Sequence, residues 1–226
     1  MDKAPSSAPE IIFFDAAGTL IHLPRGVAFH YGQVALRHGL DVPEATWAAA
    51  FRAAWKAAPA REATRQPRPE DDAGWWRQIV DHVLDQCSAP AEFPRGPFFQ
   101  EVYAEFTRPG VWALYPEADE VLRTCAAKCR LGIISNFDGR LRAILEQLGA
   151  SHLFETIIIS SEVGADKPDP WIFEHAAQLA GIPIDTALHV GDDPVLDWQA
   201  AAQAGMKSFQ LDRPTNSLRD LLTLLP

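Results

Sequence analysis

The chain of 226 residues contains 47% hydrophobic and 22% charged residues, which is typical of a globular protein. Its formal net charge of −10 argues against a nucleic-acid partner or an anionic membrane surface, and no run reaches the roughly 20 apolar residues of a membrane span. The first nine residues lack the apolar run of a signal peptide, and only three cysteines occur, so we expect a cytoplasmic protein.

The first structural signal is the stretch IIFFDAAGTLIHL. Ile11 to Phe14 predict a buried strand that delivers an acid, Asp15, to its end. Gly18 then allows a sharp turn of the chain. Ala17 occupies the place, two residues after Asp15, where a second carboxylate could supply a proton. The sequence therefore offers one carboxylate here, not two.

Residues 23–110 show helical periodicity only. The predicted helices are Val27 to Arg37, Pro43 to Ala58, Trp75 to Cys87 and Phe98 to Phe106. Residues 58–74, rich in Pro, Arg and acids, predict an exposed loop, and the acids 70–72 within it predict a solvated turn. An all-helical insertion directly after the first strand looks like a lid over the end of the sheet.

From residue 111 onward, apolar strands alternate with amphipathic helices. Strands are predicted at 131–135, 156–160, 187–190 and 206–211, and helices at 117–128, 140–148, 170–180, 195–204 and 218–224. Cys125 and Cys129 fall on the apolar stripe of the first of these helices, which favours core packing over a metal site. The pattern predicts an α/β fold with a parallel sheet covered on both faces. Ligands of such sheets collect beyond the carboxyl ends of the strands.

Polar residues follow four of the predicted strands at that edge. They are Asp15; Ser135 and Asn136; Lys167; and Asp192, Asp193 and Asp197. Pro168 pushes the backbone of Lys167 away from a helical conformation, and Asp169 with Pro170 predicts a helix start immediately afterwards. Asp193 precedes Pro194, so a helix N-cap and a metal ligand are equally good interpretations of that residue.

These four segments resemble the four motifs of the haloacid dehalogenase-like (HAD) superfamily, over residues 11 to about 212. The helical insertion resembles the cap of subfamily I, and the chain is most similar to HAD-like hydrolases of subfamily IA. The resemblance implies a Rossmann-like parallel sheet core, 1–22 and 111–226, with a helical cap domain, 23–110, inserted after the first strand.

The resemblance also implies a chemistry and a set of residues. Asp15 would attack phosphorus to form an aspartyl-phosphate, with Lys167 as a second catalytic residue. Ser135, Asn136 and Lys167 would hold the phosphoryl group. Asp15, the backbone carbonyl of Ala17 and Asp192 would bind Mg²⁺. Asp193 and Asp197 would support these ligands without binding the ion directly. The expected partner is a small phosphorylated metabolite, and the oligomeric state is not determined.

Phosphatases of this superfamily carry an aspartate where this chain has Ala17, so weakened general acid catalysis is expected. One alternative is a non-catalytic module that binds a phospho-ligand or a protein. Another is a 2-haloacid dehalogenase, although the family's dehalogenases lack the acidic pair seen here after the fourth strand. A phosphonoacetaldehyde hydrolase would need a lysine in the cap. Lys56 lies on a polar helix face, which is expected to face solvent, so this activity is disfavoured. His22, His30 and Tyr31 are further candidates for a proton donor, each better explained as a structural or surface residue.

Overall fold

The computed structural model describes residues 8–225, which form two compact units. The expectation that the first nine residues contain no signal peptide partly concerns residues 1–7, which lie outside the described residues. Unit 1 consists of the described residues up to His22, Glu62–Arg68, and the chain from Leu114 onward. Unit 2 consists of Leu23–Arg61 and Pro69–Ala113. Among the described residues, no helix is both long and apolar enough to cross a lipid bilayer.

Unit 1 is built on a five-stranded sheet with the strand order β5-β4-β1-β6-β7, in which all neighbours are parallel. The strands are β1 (Ile11–Phe14), β4 (Arg130–Ser135), β5 (Thr156–Ile159), β6 (Ala187–Gly191) and β7 (Lys207–Gln210). A second, two-stranded sheet pairs β2 (Ile21–His22) with β3 (Ala113–Leu114). The predicted α/β class with a parallel sheet is confirmed.

The helices of unit 1 separate the parallel strands along the chain. They are α5 (Ala118–Ala126), α6 (Arg140–Gln147), α7 (Ser160–Val163), α8 (Pro170–Ala180) and α9 (Ala200–Gln203). A 3-10 helix, Leu218–Leu224, replaces the α-helix predicted at the end of the chain. All four residues of β1 are fully buried, as a central strand with both faces covered requires.

The helix predicted over 195–204 begins instead with a π-helical turn, Pro194–Gln199, before α9. The N–H groups of Asp197 and Trp198 both donate to the Asp193 carbonyl, at 3.0 and 3.2 Å, which widens the turn. Such turns are often found at functional sites. Here the wide turn carries Asp197, whose contacts are described below.

Unit 2 contains four helices, α1 (Gly26–Arg37), α2 (Glu44–Lys56), α3 (Ala73–Gln86) and α4 (Arg95–Glu105). They pack around Trp47 and Phe98, both fully buried and with stacked rings 6.3 Å apart. Tyr31 is 2% exposed in this core, and His30 Nδ1 lies 3.1 Å from Glu105 Oε1. Both residues therefore have structural contacts inside unit 2. Lys56 is exposed.

The loop predicted over 58–74 is mostly exposed, but the expectation that its acids 70–72 are solvated is wrong for one of them. Asp72, predicted to be solvated, is 5% exposed, because the Arg61 guanidinium lies 3.0 Å from its carboxylate and compensates its charge. Glu62–Arg68 does not belong to the helical unit around it in the sequence, but packs as part of unit 1. The expected boundaries, with 23–110 as one insertion, differ from the two units in this segment.

Gly132 is a position in the parallel sheet that requires glycine. A Cβ atom on Gly132, in β4, would lie 2.5 Å from Cδ1 of Phe13 and 3.0 Å from the Thr156 carbonyl oxygen. We predict that Gly132→Ala lowers the free energy of unfolding by about 1–3 kcal/mol, as overpacking of a core does. Denaturant titration followed by circular dichroism measures it.

The matched control is Gly74→Ala in α3, where an added Cβ would meet no heavy atom within 4 Å. This substitution should leave stability unchanged or raise it slightly, because alanine favours helix more than glycine does. Equal midpoints for Gly132→Ala and the wild type would contradict the packing argument.

Candidate active site

The carboxyl edge of the sheet brings the predicted site residues together. Asp15 directly follows β1, and its N–H donates to the Val190 carbonyl in the neighbouring strand at 2.8 Å. Gly18 has a φ of +96°, and a Cβ there would lie 2.5 Å from Oδ2 of Asp192. The turn after β1 therefore needs glycine both for its backbone conformation and for the close approach of Asp192.

Asp15 carries the central carboxylate. The residue is 7% exposed, and its Oδ1 accepts hydrogen bonds from Lys167 Nζ at 2.7 Å and from Ser135 Oγ at 3.2 Å. The three residues come from β1, β4 and the loop before α8. Lys167 and Asp192 both lie close enough to Asp15 for one metal ion and one phosphoryl group to bridge the three side chains.

Lys167 is a buried ammonium placed between two carboxylates. It is 3% exposed, and its Nζ also donates to Asp197 Oδ1 at 2.5 Å. Because a buried charge needs an opposite charge, Asp15 and Asp197 make this position of Lys167 possible. Asp169 begins α8 as predicted, with its Oδ1 accepting from the Trp171 N–H at 2.9 Å.

Asn136 was predicted to bind the phosphoryl group, and the structure shows a different use of its amide. Its Oδ1 accepts from the Lys167 N–H at 2.7 Å, and its Nδ2 donates to the Lys167 carbonyl at 2.8 Å. Asn136 therefore holds the backbone of Lys167 in place. A phosphate contact of Asn136 stays a prediction.

Asp197 is the most connected acid of the site. Besides Lys167, its Oδ1 accepts from His189 Nε2 at 2.9 Å, and its Oδ2 accepts from the Asp193 N–H at 3.0 Å. A Cβ on Gly191 would overlap the Asp197 carboxyl group, so β6 must end in glycine. Asp197 therefore holds the Lys167 ammonium and is itself held by His189 and the Asp193 N–H.

Sequence reasoning missed His189 and Thr19. His189 is fully buried in β6. In the sequence, its only signal is a histidine inside an otherwise apolar strand that ends at the same edge of the sheet. Thr19 Oγ1 donates to Asp192 Oδ1 at 2.7 Å and so orients that carboxylate. Asp193 Oδ1 accepts from the N–H groups of Val195 and Leu196, at 2.7 and 2.8 Å, and is the N-cap of the π-helical turn.

Burial and charge shift the pKa values of this cluster in opposite directions. Burial raises the pKa of Asp15 from 3.8 to about 6, although the Lys167 ammonium opposes the rise. Burial also acts to raise the pKa of Asp197, but Lys167 and His189 outweigh it, and the net pKa is lowered. Burial lowers the pKa of His189, so the neutral ring donates its Nε2 proton to Asp197.

One group of carboxylates is arranged as a cation site. Oxygen atoms of Asp15, Asp192 and Asp197 lie within 4.8 Å of one another. Carboxylate oxygens are the ligands that Mg²⁺ prefers, so the donor set fits a divalent cation. Asp192 is the exposed member, and Asp197 already accepts three hydrogen bonds, which leaves Asp15 and Asp192 as the better ligands. Ala17, predicted to offer its carbonyl, is exposed, and that role stays a prediction.

The chain is similar in sequence and in fold to known proteins. Residues 9–205 match the family of haloacid dehalogenase-like hydrolases. Haloacid dehalogenase-like hydrolase domain-containing protein 3 of Mus musculus is 33% identical over 205 residues, which cover 88% of this chain and 80% of that protein.

Two solved structures share the fold over most of their length. The magnesium-bound HAD-hydrolase YfnB of Bacillus subtilis matches with a TM-score of 0.77 at 15% identity, covering 96% of this chain and 99% of that one. The defluorinating L-2-haloacid dehalogenase Rha0230 matches with a TM-score of 0.75 at 22% identity, covering 91% and 82%. A hydrolase and a dehalogenase are thus equally compatible with the fold.

The raised pKa of Asp15 predicts a pH dependence of stability in metal-free protein. Between pH 4 and 6 the unfolded chain has lost the Asp15 proton while the folded protein keeps it, so rising pH favours unfolding. The unfolding free energy of the wild type minus that of Asp15→Asn should fall across this range, by on the order of 3 kcal/mol, and then level off.

Denaturant titrations in EDTA at pH 4, 5, 6 and 7 measure that difference. Asp185→Asn, at an exposed acid of unit 1, is the control for the loss of one carboxylate. A difference for Asp15→Asn that does not change with pH would show that burial does not raise the Asp15 pKa.

Proposed function

Because the chain belongs to the haloacid dehalogenase-like hydrolases, we propose that it hydrolyses a small phosphorylated metabolite with the help of Mg²⁺, through an aspartyl-phosphate on Asp15. The observation that carries the proposal is the Asp15 carboxylate, fixed by Lys167 and Ser135 beside the acids Asp192 and Asp197. A helical insertion directly after β1 also supports assignment to subfamily IA.

The first chemical step would be an attack of an Asp15 oxygen on phosphorus. The new O–P bond forms as the bond to the leaving oxygen breaks, and that oxygen departs as an anion or takes a proton from water, because Ala17 supplies no acid. Water then attacks the phosphorus, the Asp15–phosphorus bond breaks, and inorganic phosphate leaves. Dividing one difficult displacement into two in this way is the advantage of a nucleophilic carboxylate.

Lys167 and Ser135 would bind the transferring group. Both already donate to the same oxygen of Asp15, so a phosphoryl group entering there would meet an ammonium and a hydroxyl. Asp15, Asp192 and the Ala17 carbonyl would hold Mg²⁺, which when bound supplies positive charge beside the phosphoryl oxygens. Thr19 and Asp197 would keep Asp192 and Lys167 in place, and Asp193 would hold the turn that carries Asp197.

Ala17 limits the substrates that turn over well. Without a carboxyl there, the chain lacks a general acid at the position that would serve the leaving group, and such groups typically contribute about 10²–10⁴-fold. Acyl and aryl phosphates, whose leaving groups need little proton donation, should therefore react faster than alkyl phosphates.

Two alternatives make different predictions. Ala17 favours a binding-only module, which would take up Mg²⁺ and a phosphorylated ligand without turnover. A dehalogenase would release halide from 2-haloacids and would need no metal. Three carboxylates clustered within 4.8 Å argue against it, because the single ammonium of Lys167 does not compensate three like charges at this distance.

We also propose a cytoplasmic location and a small-molecule partner, with no role for nucleic acid or membranes. Cys87, Cys125 and Cys129 are all free thiols, as a reducing compartment would keep them. The net charge of −10 disfavours polyanionic partners.

The direct test is phosphate release from a panel of phosphorylated metabolites and aryl phosphates, with Mg²⁺ and with EDTA. We expect multiple turnovers with Mg²⁺ only, and a loss of at least about 10³-fold in Asp15→Asn. Asp185→Asn is the control and should keep wild-type activity. Undiminished activity of Asp15→Asn would refute the nucleophile, and metal-independent halide release would favour the dehalogenase.

Ala17→Asp should restore the missing acid. We expect its kcat for alkyl phosphates to rise, by up to about 10²-fold, with a smaller change for aryl phosphates. Steady-state kinetics on one substrate of each type measure the two ratios. An equal effect on both would mean that leaving-group protonation is not the bottleneck.

A further inference from the structure

Residues 62–68, which we call the strap, leave the helical insertion and dock on the catalytic unit. In sequence they lie between α2 and α3, but they pack within unit 1. The Arg65 N–H donates to the Gly164 carbonyl at 3.0 Å, and the Arg68 N–H donates to the Ser161 carbonyl at 2.8 Å. Two backbone hydrogen bonds therefore join the strap to the segment of α7 and its C-terminal end.

Gly164 is shaped for this contact. It ends α7 in a left-handed conformation with a φ of +71°, and a Cβ there would overlap the Gln66 carbonyl oxygen. Thr64 Oγ1 donates to the same Gln66 oxygen at 3.0 Å, which fixes the strap from within. The strap therefore lies in backbone contact with Gly164, closer than any other residue type would allow.

A part-buried ion pair completes the contact next to a site residue. Arg68 Nη2 lies 2.7 Å from Asp166 Oδ2, and the side chains are 7% and 17% exposed. Nη1 of Arg68 lies 3.5 Å from Oδ1 of Asp166, so both carboxylate oxygens face the guanidinium. Removing one partner of such a pair leaves the other charge without compensation and destabilises the contact. Asp166 immediately precedes Lys167.

The backbone of Lys167 is thus held from two sides. Asn136 binds its N–H and its carbonyl, and the strap binds the residue before it and the end of α7. The Lys167 ammonium must reach both Asp15 and Asp197, at 2.7 and 2.5 Å. A displacement of this backbone would therefore change the position of the ammonium relative to both carboxylates.

We propose that the strap is a positioning element of the active site, with Arg68 and Gly164 acting through Asp166 to place the Lys167 ammonium against Asp15. The inference rests on the proposed function for its kinetic consequence only. Neither Arg68 nor Gly164 needs to touch the substrate. The inserted segment would then contribute to the chemistry of the unit on which it docks.

Gly164→Ala tests the docking, and Gly181→Ala is its matched control. Gly181 ends α8 with a φ of +69°, so alanine suffers the same backbone strain there, but no heavy atom lies within 4 Å of the added Cβ. Both variants should lose similar amounts of stability to backbone strain. Only Gly164→Ala should lower kcat/KM, by about 10- to 100-fold, as small misplacements of catalytic groups do.

Arg68→Gln tests the ion pair, and Arg142→Gln is its control. Arg142 pairs with Glu162 of α7 at 2.6 Å, but on the surface, with side chains 51% and 34% exposed. We expect a fall in kcat/KM of about 10-fold or more for Arg68→Gln and less than about 2-fold for Arg142→Gln. Arg68→Lys, which restores one charge, should recover part of the loss.

Hydrogen exchange of the metal-free protein gives a readout that does not depend on activity. The amides of Arg65 and Arg68 donate across this contact, and the Lys167 amide donates to Asn136 Oδ1 beside it. In Gly164→Ala and Arg68→Gln, all three should exchange at least about 10-fold faster than in the wild type and the two controls. Unchanged exchange at Lys167 in both variants would overturn the inference.

The two proposals fail in different ways. A wild-type protein that releases no phosphate from any substrate would contradict the proposed function, and the exchange rates would still decide the role of the strap. An active wild type whose Gly164→Ala and Arg68→Gln variants match their controls in kcat/KM would contradict the strap alone.

Discussion

The buried ammonium of Lys167, held between the carboxylates of Asp15 and Asp197, is the interaction on which the site depends. A lysine that is 3% exposed can keep its charge only beside opposite charges, and the two acids come from different ends of the sequence. The parallel sheet brings them together, because β1 and β6 are hydrogen-bonded neighbours whose carboxyl ends meet at one edge.

The same interaction divides the acids into two kinds. Asp197 has a lowered pKa and is saturated by Lys167, His189 and the Asp193 N–H, so it maintains the geometry. Burial raises the pKa of Asp15 to about 6, and the positive charge of Lys167 only partly offsets this rise. A divalent cation beside Asp15 and Asp192 would offset the remainder and would favour the ionised, nucleophilic form.

Several neighbouring residues hold these few side chains in place. Asn136 holds the Lys167 backbone, Thr19 orients Asp192, and the π-helical turn directs Asp197. The strap, which lies between α2 and α3 in the sequence, would add to this support. Fixed geometry of this kind matters because small displacements of catalytic groups cost large factors in rate.

The sequence by itself determined the local features: the parallel α/β class, the strand that delivers Asp15, the Asp169 cap of α8, and the polar residues at the strand ends. Each follows from short-range periodicity or from the chemistry of proline and glycine, which act within a few residues. The tertiary structure alone decided the use of Asn136 on the Lys167 backbone, the roles of His189 and Thr19, the burial of Asp72, and the docking of 62–68. These depend on contacts between residues far apart in the chain, such as Arg68 with Asp166, and no local pattern of hydrophobicity or charge specifies which distant partner a polar side chain will meet.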